Sequence, residues 1–125
     1  MRKLSILAVG LALLSGPALA GDATKEINTA ITHAELAVGA GDLKMVQMHL
    51  HHVLNCISGP GGMDFDATAA NPCKDAGDGA LKDAPDKAMA LNAAAAKAKE
   101  GLATMDMATA KADATETATI LKTAK

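Results

Sequence analysis

Apolar side chains recur at helical spacing in four stretches of this chain and lose that spacing in one long interval between the second and the third. In the first stretch Ile27, Ile31, Ala34 and Val38 fall on one helical stripe. Asp22 or Thr24 can cap that helix, which runs to about residue 38, and Gly39-Ala40-Gly41 breaks it. Asp42 is placed to cap a second helix, whose core stripe is Leu43, Val46, Leu50, Val53, Leu54 and Ile57. So short a break between two helices predicts an antiparallel hairpin. Residues 58–84 show no period: Gly59-Pro60-Gly61-Gly62, Asn71-Pro72 and Gly77-Asp78-Gly79 mark turns. Pro85 suits the first turn of a third helix reaching about residue 103, and Asp106 can cap a fourth reaching about residue 122. The pattern predicts an all-α, up-and-down four-helix bundle of two hairpins, with residues 58–84 as the loop between them.

The two later helices are rich in alanine, which favours helix but buries little area per residue. Closely spaced helices and a thin core are expected. Thr109, Thr115, Thr117 and Thr119 weaken the fourth helix somewhat. A shift of 64 residues lays the first hairpin on the second: Ile27 on Leu91, Ala34 on Ala98, Asp42 on Asp106, and Ile57 on Leu121. The halves read as a duplicated hairpin.

The start of the chain reads as a secretory signal. Arg2 and Lys3 precede an apolar run over residues 4–14, and Ala18-Leu19-Ala20 forms a small-residue cleavage site. Removing residues 1–20 leaves one domain, residues 21–125, of 125 − 20 = 105 residues. It also removes two of the twelve basic side chains, so ten face fourteen acidic ones, a formal charge of −4. That balance excludes a nucleic-acid partner and suits a protein that attracts cations. No membrane span is expected after cleavage. The expected location is the periplasm or the cell exterior, where Cys56 and Cys73 would form a disulfide tethering the long loop. Closing it is worth about 3 kcal/mol in the chain-entropy model. Phe65, the one aromatic residue, is a second candidate anchor for the loop.

Candidate chemistry concentrates on the second helix, which carries three of the four histidines. On a wheel with Leu50 at zero, His49, Cys56, Met45 and His52 fall together between about −100° and −160°, while His51 lies near about +100° on the other flank. In a hairpin turning at Gly41, His33 of the first helix is level with His49. His33, His49 and His52 therefore form a candidate transition-metal site, with Met45 or a loop aspartate completing it. Imidazole suits zinc and copper, and a thioether favours Cu(I). Under the shift of 64 the three histidines map to Lys97, Asp113 and Glu116, a salt-bridge set, so the first hairpin is expected to bind and the second to be structural. Met48, Met63, Met89, Met105 and Met107 are too dispersed for a methionine motif, and the loop acids lack the calcium-loop spacing.

No nucleophile with its base, carboxylate pair or phosphate loop is visible, so no enzyme activity is expected. Two other readings stand beside metal binding. One is a structural or interaction module whose disulfide-held loop contacts a periplasmic protein partner. The other is a non-covalent haem bundle, for which an alanine core with one Phe is a poor pocket; covalent haem is excluded by the lack of Cys-x-x-Cys-His.

The segment Ala30-Ile31-Thr32-His33-Ala34-Glu35-Leu36-Ala37-Val38, followed by a glycine turn, Val46 and His49, resembles the histidine-bearing hairpins of the bacterial small metal-binding protein family. The resemblance covers the first hairpin and, in apolar pattern only, the second. It implies an exported, alanine-rich four-helix bundle that binds divalent metals, copper among them, for buffering, delivery or sensing. His33 and His49 occupy the family-like positions. The chain departs from that family in its few histidines, its longer middle connection and its cysteine pair, which points to one or two sites rather than high-capacity storage.

Overall fold

The computed structural model describes residues 21–125; the signal-like segment, residues 1–20, lies outside the described residues. Five α-helices make up the fold among these residues: α1 Ala23–Gly39, α2 Leu43–Ser58, α3 Ala80–Asp83, α4 Ala88–Ala103 and α5 Met107–Thr123. Three of the long helices start where an aspartate was expected to cap them. Asp22 accepts the Lys25 amide at 2.9 Å, Asp42 the Met45 amide at 2.8 Å, and Asp106 the Thr109 amide at 2.8 Å. Each cap satisfies a free helix N–H and is worth about 1 kcal/mol. The Thr109 hydroxyl and amide together hold the Asp106 carboxyl below its ordinary pKa.

α1 packs on α2 and α5, and α4 packs on α5 and α2, so the four long helices close a ring around one core. Its large side chains are few: Ile27, Leu50, Ile57, Leu91 and Leu121 are all fully buried. Alanines fill the rest, including Ala30, Ala34, Ala94, Ala98, Ala110 and Ala114. Small residues let the backbones approach closely. A Cβ added at Gly101 of α4 would lie 2.7 Å from Leu50 Cδ1, so this fully buried leucine of α2 is seated where α4 has no side chain. Val38, expected in the core stripe, is 36% exposed, and Ala37 is turned inward instead. Val38 borders a shallow groove against Thr115, Thr119 and Lys122 of α5.

The interval between the hairpins differs from the expectation in three ways. It is not wholly irregular, since α3 forms a single turn within it. Pro85 begins a 3-10 turn, Pro85–Lys87, ahead of α4 rather than the first turn of α4 itself. The second anchor is also not Phe65, which is half-buried and outside the core cluster. Asn55 takes that role: fully buried on α2, its amide donates to the Asp66 and Ala70 carbonyls at 3.0 Å each, and its oxygen accepts the Asp66 amide at 2.8 Å. The expected disulfide is present between Cys56 and Cys73, with Cα atoms 5.2 Å apart. Farther along, Gly59 and Gly79 adopt φ of +67° and +109°, and a side chain on either would strike the backbone of the other segment. That contact seals the end of α2 against the start of α3. Among the described residues no helix is long and apolar enough to cross a membrane.

Candidate metal centre

The tight turn at Ala40–Asp42 sets α1 beside α2 so that His33 faces His49 and His52, which lie three residues apart on one flank of α2. His33 Nδ1 is 3.1 Å from His49 Nδ1 and 3.3 Å from His52 Nδ1. One nitrogen from each ring lies within 4.8 Å of the others, and all three rings are half-buried. His52 stands edge-on to both neighbours, with ring centroids 4.8 Å from His33 and 5.7 Å from His49. The three residues lie close enough together to bind a metal ion.

The spacing has chemical meaning. A tetrahedral metal with nitrogens at about 2.0–2.1 Å needs those nitrogens about 3.3–3.4 Å apart. The two His33 separations are at that value or slightly below it, and all three ligand atoms lie within 4.8 Å of one another. Without an ion the arrangement is poorly compensated. A neutral imidazole has one N–H and one lone pair, so three converging ring nitrogens cannot all be matched as donor and acceptor. A shared proton would not relieve this well. Burial, then the neighbouring His52 and His49, push the His33 pKa down to about 4. His49 is lowered by burial, and His52 by burial and then by His49 and His51. All three rings therefore favour the neutral form near pH 7, the form that a metal ion would require.

The other expected site residues fall as follows. Met45, one turn before His49 on the same flank, is 43% exposed. Cys56 is consumed by the disulfide and is no ligand. His51 stays apart from the cluster, as the wheel predicts, and pairs with Asp66 at 3.2 Å. The expectation that a loop aspartate completes the shell with His52 is not met among the described residues. Asp66 is turned to His51 and Asp64 pairs with Lys99 at 3.2 Å. The reason lies on the wheel: Asn55, at about +140°, shares the His51 flank, so pinning the Asp66 peptide to Asn55 carries the loop away from the histidines.

The second hairpin carries different chemistry at the positions that the shift of 64 aligns with the histidines. Lys97 Nζ lies 2.7 Å from Glu100, 3.3 Å from Glu116 and 3.9 Å from Asp113. A lysine ringed by acids occupies the level that three histidines occupy in the first hairpin. The reading from sequence missed two buried polar residues of the loop end, Asn55 and Glu26. Their only signal was position: each lies among apolar neighbours on a helix facing the loop. Compared with known proteins, the chain matches no family model, no curated protein and no solved structure.

Proposed function

We propose that this is an exported small metal-binding protein that holds one transition-metal ion of the copper or zinc type on its first hairpin, for buffering, delivery or sensing. The observation that carries the reading is the convergence of three neutral imidazole nitrogens, two of the separations being 3.1 and 3.3 Å. Three protein nitrogens leave a fourth position open, as in sites that exchange a ligand. Met45 or a water fills it, and a thioether there would favour Cu(I). The half-buried rings leave the ion a route in and out, which suits transfer better than permanent structural use. The disulfide fits an oxidising, exported setting. The helix contacts support the up-and-down arrangement expected from the hairpin pattern, and the ligand pair His33 and His49 is the one the family resemblance implies.

Calorimetric titration of residues 21–125 with zinc, and with copper in both oxidation states, tests the reading. One equivalent should bind, and His49→Ala should weaken it severely. A chain that binds none of these ions, or binds equally well without His49, overturns the proposal.

A further inference from the structure

At the loop end of the bundle, remote from the histidines in the fold, one acidic corner lacks a cation. Glu26 of α1 is fully buried. Its Oε1 accepts the Gly79 amide at 2.8 Å, while its Oε2 is buried without any hydrogen-bond partner. Asp83 of α3 stands beside it, its Oδ2 accepting the Asp78 amide at 2.8 Å. Burial first, opposed by the Gly79 bond, and then the charge of Asp83, a carboxyl–carboxyl hydrogen bond to Asp83 and the charge of Asp78, raise the Glu26 pKa to about 7. A proton shared with Asp83 is the only donor the two carboxyls find between them and is lost once both ionise, so the corner is suited to a cationic donor.

The position of Gly21 identifies that donor. The Asp22 amide donates to the Ala76 carbonyl at 2.7 Å, which fixes the chain start against the loop. A Cβ on Gly21 would collide with the Asp83 carboxylate and lie 2.8 Å from Gly77 Cα; one on Gly77 would lie 2.9 Å from Glu26 Oε1. Gly21, Gly77, Asp83 and Glu26 thus form one tight cluster that admits no side chain at residue 21. The Gly21 nitrogen is one bond of about 1.46 Å from an atom packed against that carboxylate. Gly21 is also the residue that follows Ala18-Leu19-Ala20, the small-residue cleavage site.

We propose that cleavage after Ala20 completes this corner: the new α-ammonium of Gly21 pairs with Asp83 and supplies the missing donor to Glu26 Oε2, so that processing during export locks the N-terminus, the loop and α3 together. The covalent step is hydrolysis by a signal-type endoprotease. Water adds to the Ala20 carbonyl carbon, the C–N bond breaks, Ala20 leaves as a carboxylate, and Gly21 keeps the proton balance as an ammonium. The other charges nearby are already engaged. Asp22 caps α1 through the Lys25 amide, and Asp78 pairs with Lys82 at 3.2 Å on the surface. Among the described residues no lysine, arginine or histidine pairs with Glu26 or Asp83.

A four-way comparison tests this. The mature chain beginning at Gly21 is set against the same chain carrying Met-Ala before Gly21, each with Glu26 and with Glu26→Gln. Glutamine keeps the acceptor for Gly79 and removes the charge. The mature chain should melt about 4–8 °C above the extended one, the shift that a roughly fivefold change in the folding equilibrium produces in a domain of about this size. The gap should fall to less than half in the Glu26→Gln pair. By NMR titration, the Gly21 amine should titrate about one unit or more above its ordinary 7.7–8.0. Equal melting temperatures, a gap undiminished by Glu26→Gln, or an amine of ordinary pKa would each overturn the proposal. The amine titration needs no variant, so a failure of Glu26→Gln to fold still leaves a decisive reading.

Discussion

Removing His33 should change the protein in two opposite ways, and the pair of effects is specific to a desolvated ligand cluster. His33 has a native pKa of about 4 against an ordinary 6.5. Between these values the unfolded chain takes up a proton that the native chain refuses. Native stability is therefore full above pH 6.5 and is lost as the pH falls towards 4. At 1.36 kcal/mol per unit the ceiling is about 3 kcal/mol. The ring is half-buried, so solvent screening brings the expected value to about 1–2 kcal/mol. A melt of the parent protein alone can hide this. Where no cation pairs with it, Glu26, raised from 4.5 to about 7, holds a proton that the unfolded chain releases, so its contribution then falls as pH rises through the same window. The two slopes oppose each other. Seven residues of helix separate the groups, about 10 Å, which is far enough for their effects to add. The difference between parent and His33→Ala therefore isolates the histidine. In urea unfolding with chelator present, the variant should gain about 1–2 kcal/mol on the parent between pH 7.5 and 4.5. With zinc at 100 times Kd and pH 7.5, the parent should gain about 2.7 kcal/mol and the variant almost nothing. A difference between the two proteins that stays constant with pH would refute the buried cluster.

Other consequences can be checked separately. His49→Ala should weaken zinc or copper binding at least about 100-fold, since removing even an outer partner of a ligand costs 10–100-fold; His51→Ala, which loses only the Asp66 pair, should leave affinity within about twofold. Replacing Cys56 and Cys73 by serine opens a loop of sequence separation 17 and should cost about 3 kcal/mol in denaturant unfolding, with metal affinity nearly unchanged because no loop residue joins the cluster. Asn55→Ala strands the Asp66 amide and two carbonyls and should cost about 2–3 kcal/mol, together with loss of amide-exchange protection at Asp66.

The helices and the histidine cluster were legible because both follow from helical periodicity and from local pairings. Three aspartate caps fix the helix starts, and a turn of three residues leaves little freedom in the register that sets His33 level with His49. The loop was less legible, since its path depends on contacts distant in sequence. Asn55 reads as one polar residue in an apolar helix end; that it holds Asp66 and Ala70 becomes visible only when the loop is folded. The loop aspartates were misplaced for the same reason: Cys56 lies on the histidine flank, so the disulfide was expected to draw the loop over Met45 and His52, but Asn55 pins the Asp66 peptide on the other flank. Glu26 was hidden by its type, because a glutamate in the first turn of a helix ordinarily complements the helix dipole at the surface.

Comparing the two hairpins favours reading the histidine cluster as a ligand set over reading it as a decorated surface. At the level of His33 each hairpin brings polar side chains together from facing helices, three histidines in the first and Lys97 with three acids in the second. In the second hairpin the set is self-compensating, because Lys97 is surrounded by Glu100, Glu116 and Asp113. Hydrogen bonds that it donates to Glu100 and then to Glu116 hold its charged form firmly. In the first hairpin no such closure exists: three rings present nitrogens to one another, each made less basic by its burial. A shared proton is the one compensation these residues could find among themselves, and burial opposes it. An ion with affinity for neutral imidazole supplies the positive centre that Lys97 supplies in the other half. On this argument, replacing His33 by lysine and His49 and His52 by aspartate and glutamate should give a metal-free protein at least as stable as the parent near pH 7, with no zinc-dependent rise in melting temperature. A large loss of stability in that triple variant would show that the two hairpins do not share a frame, and the comparison would fail with it.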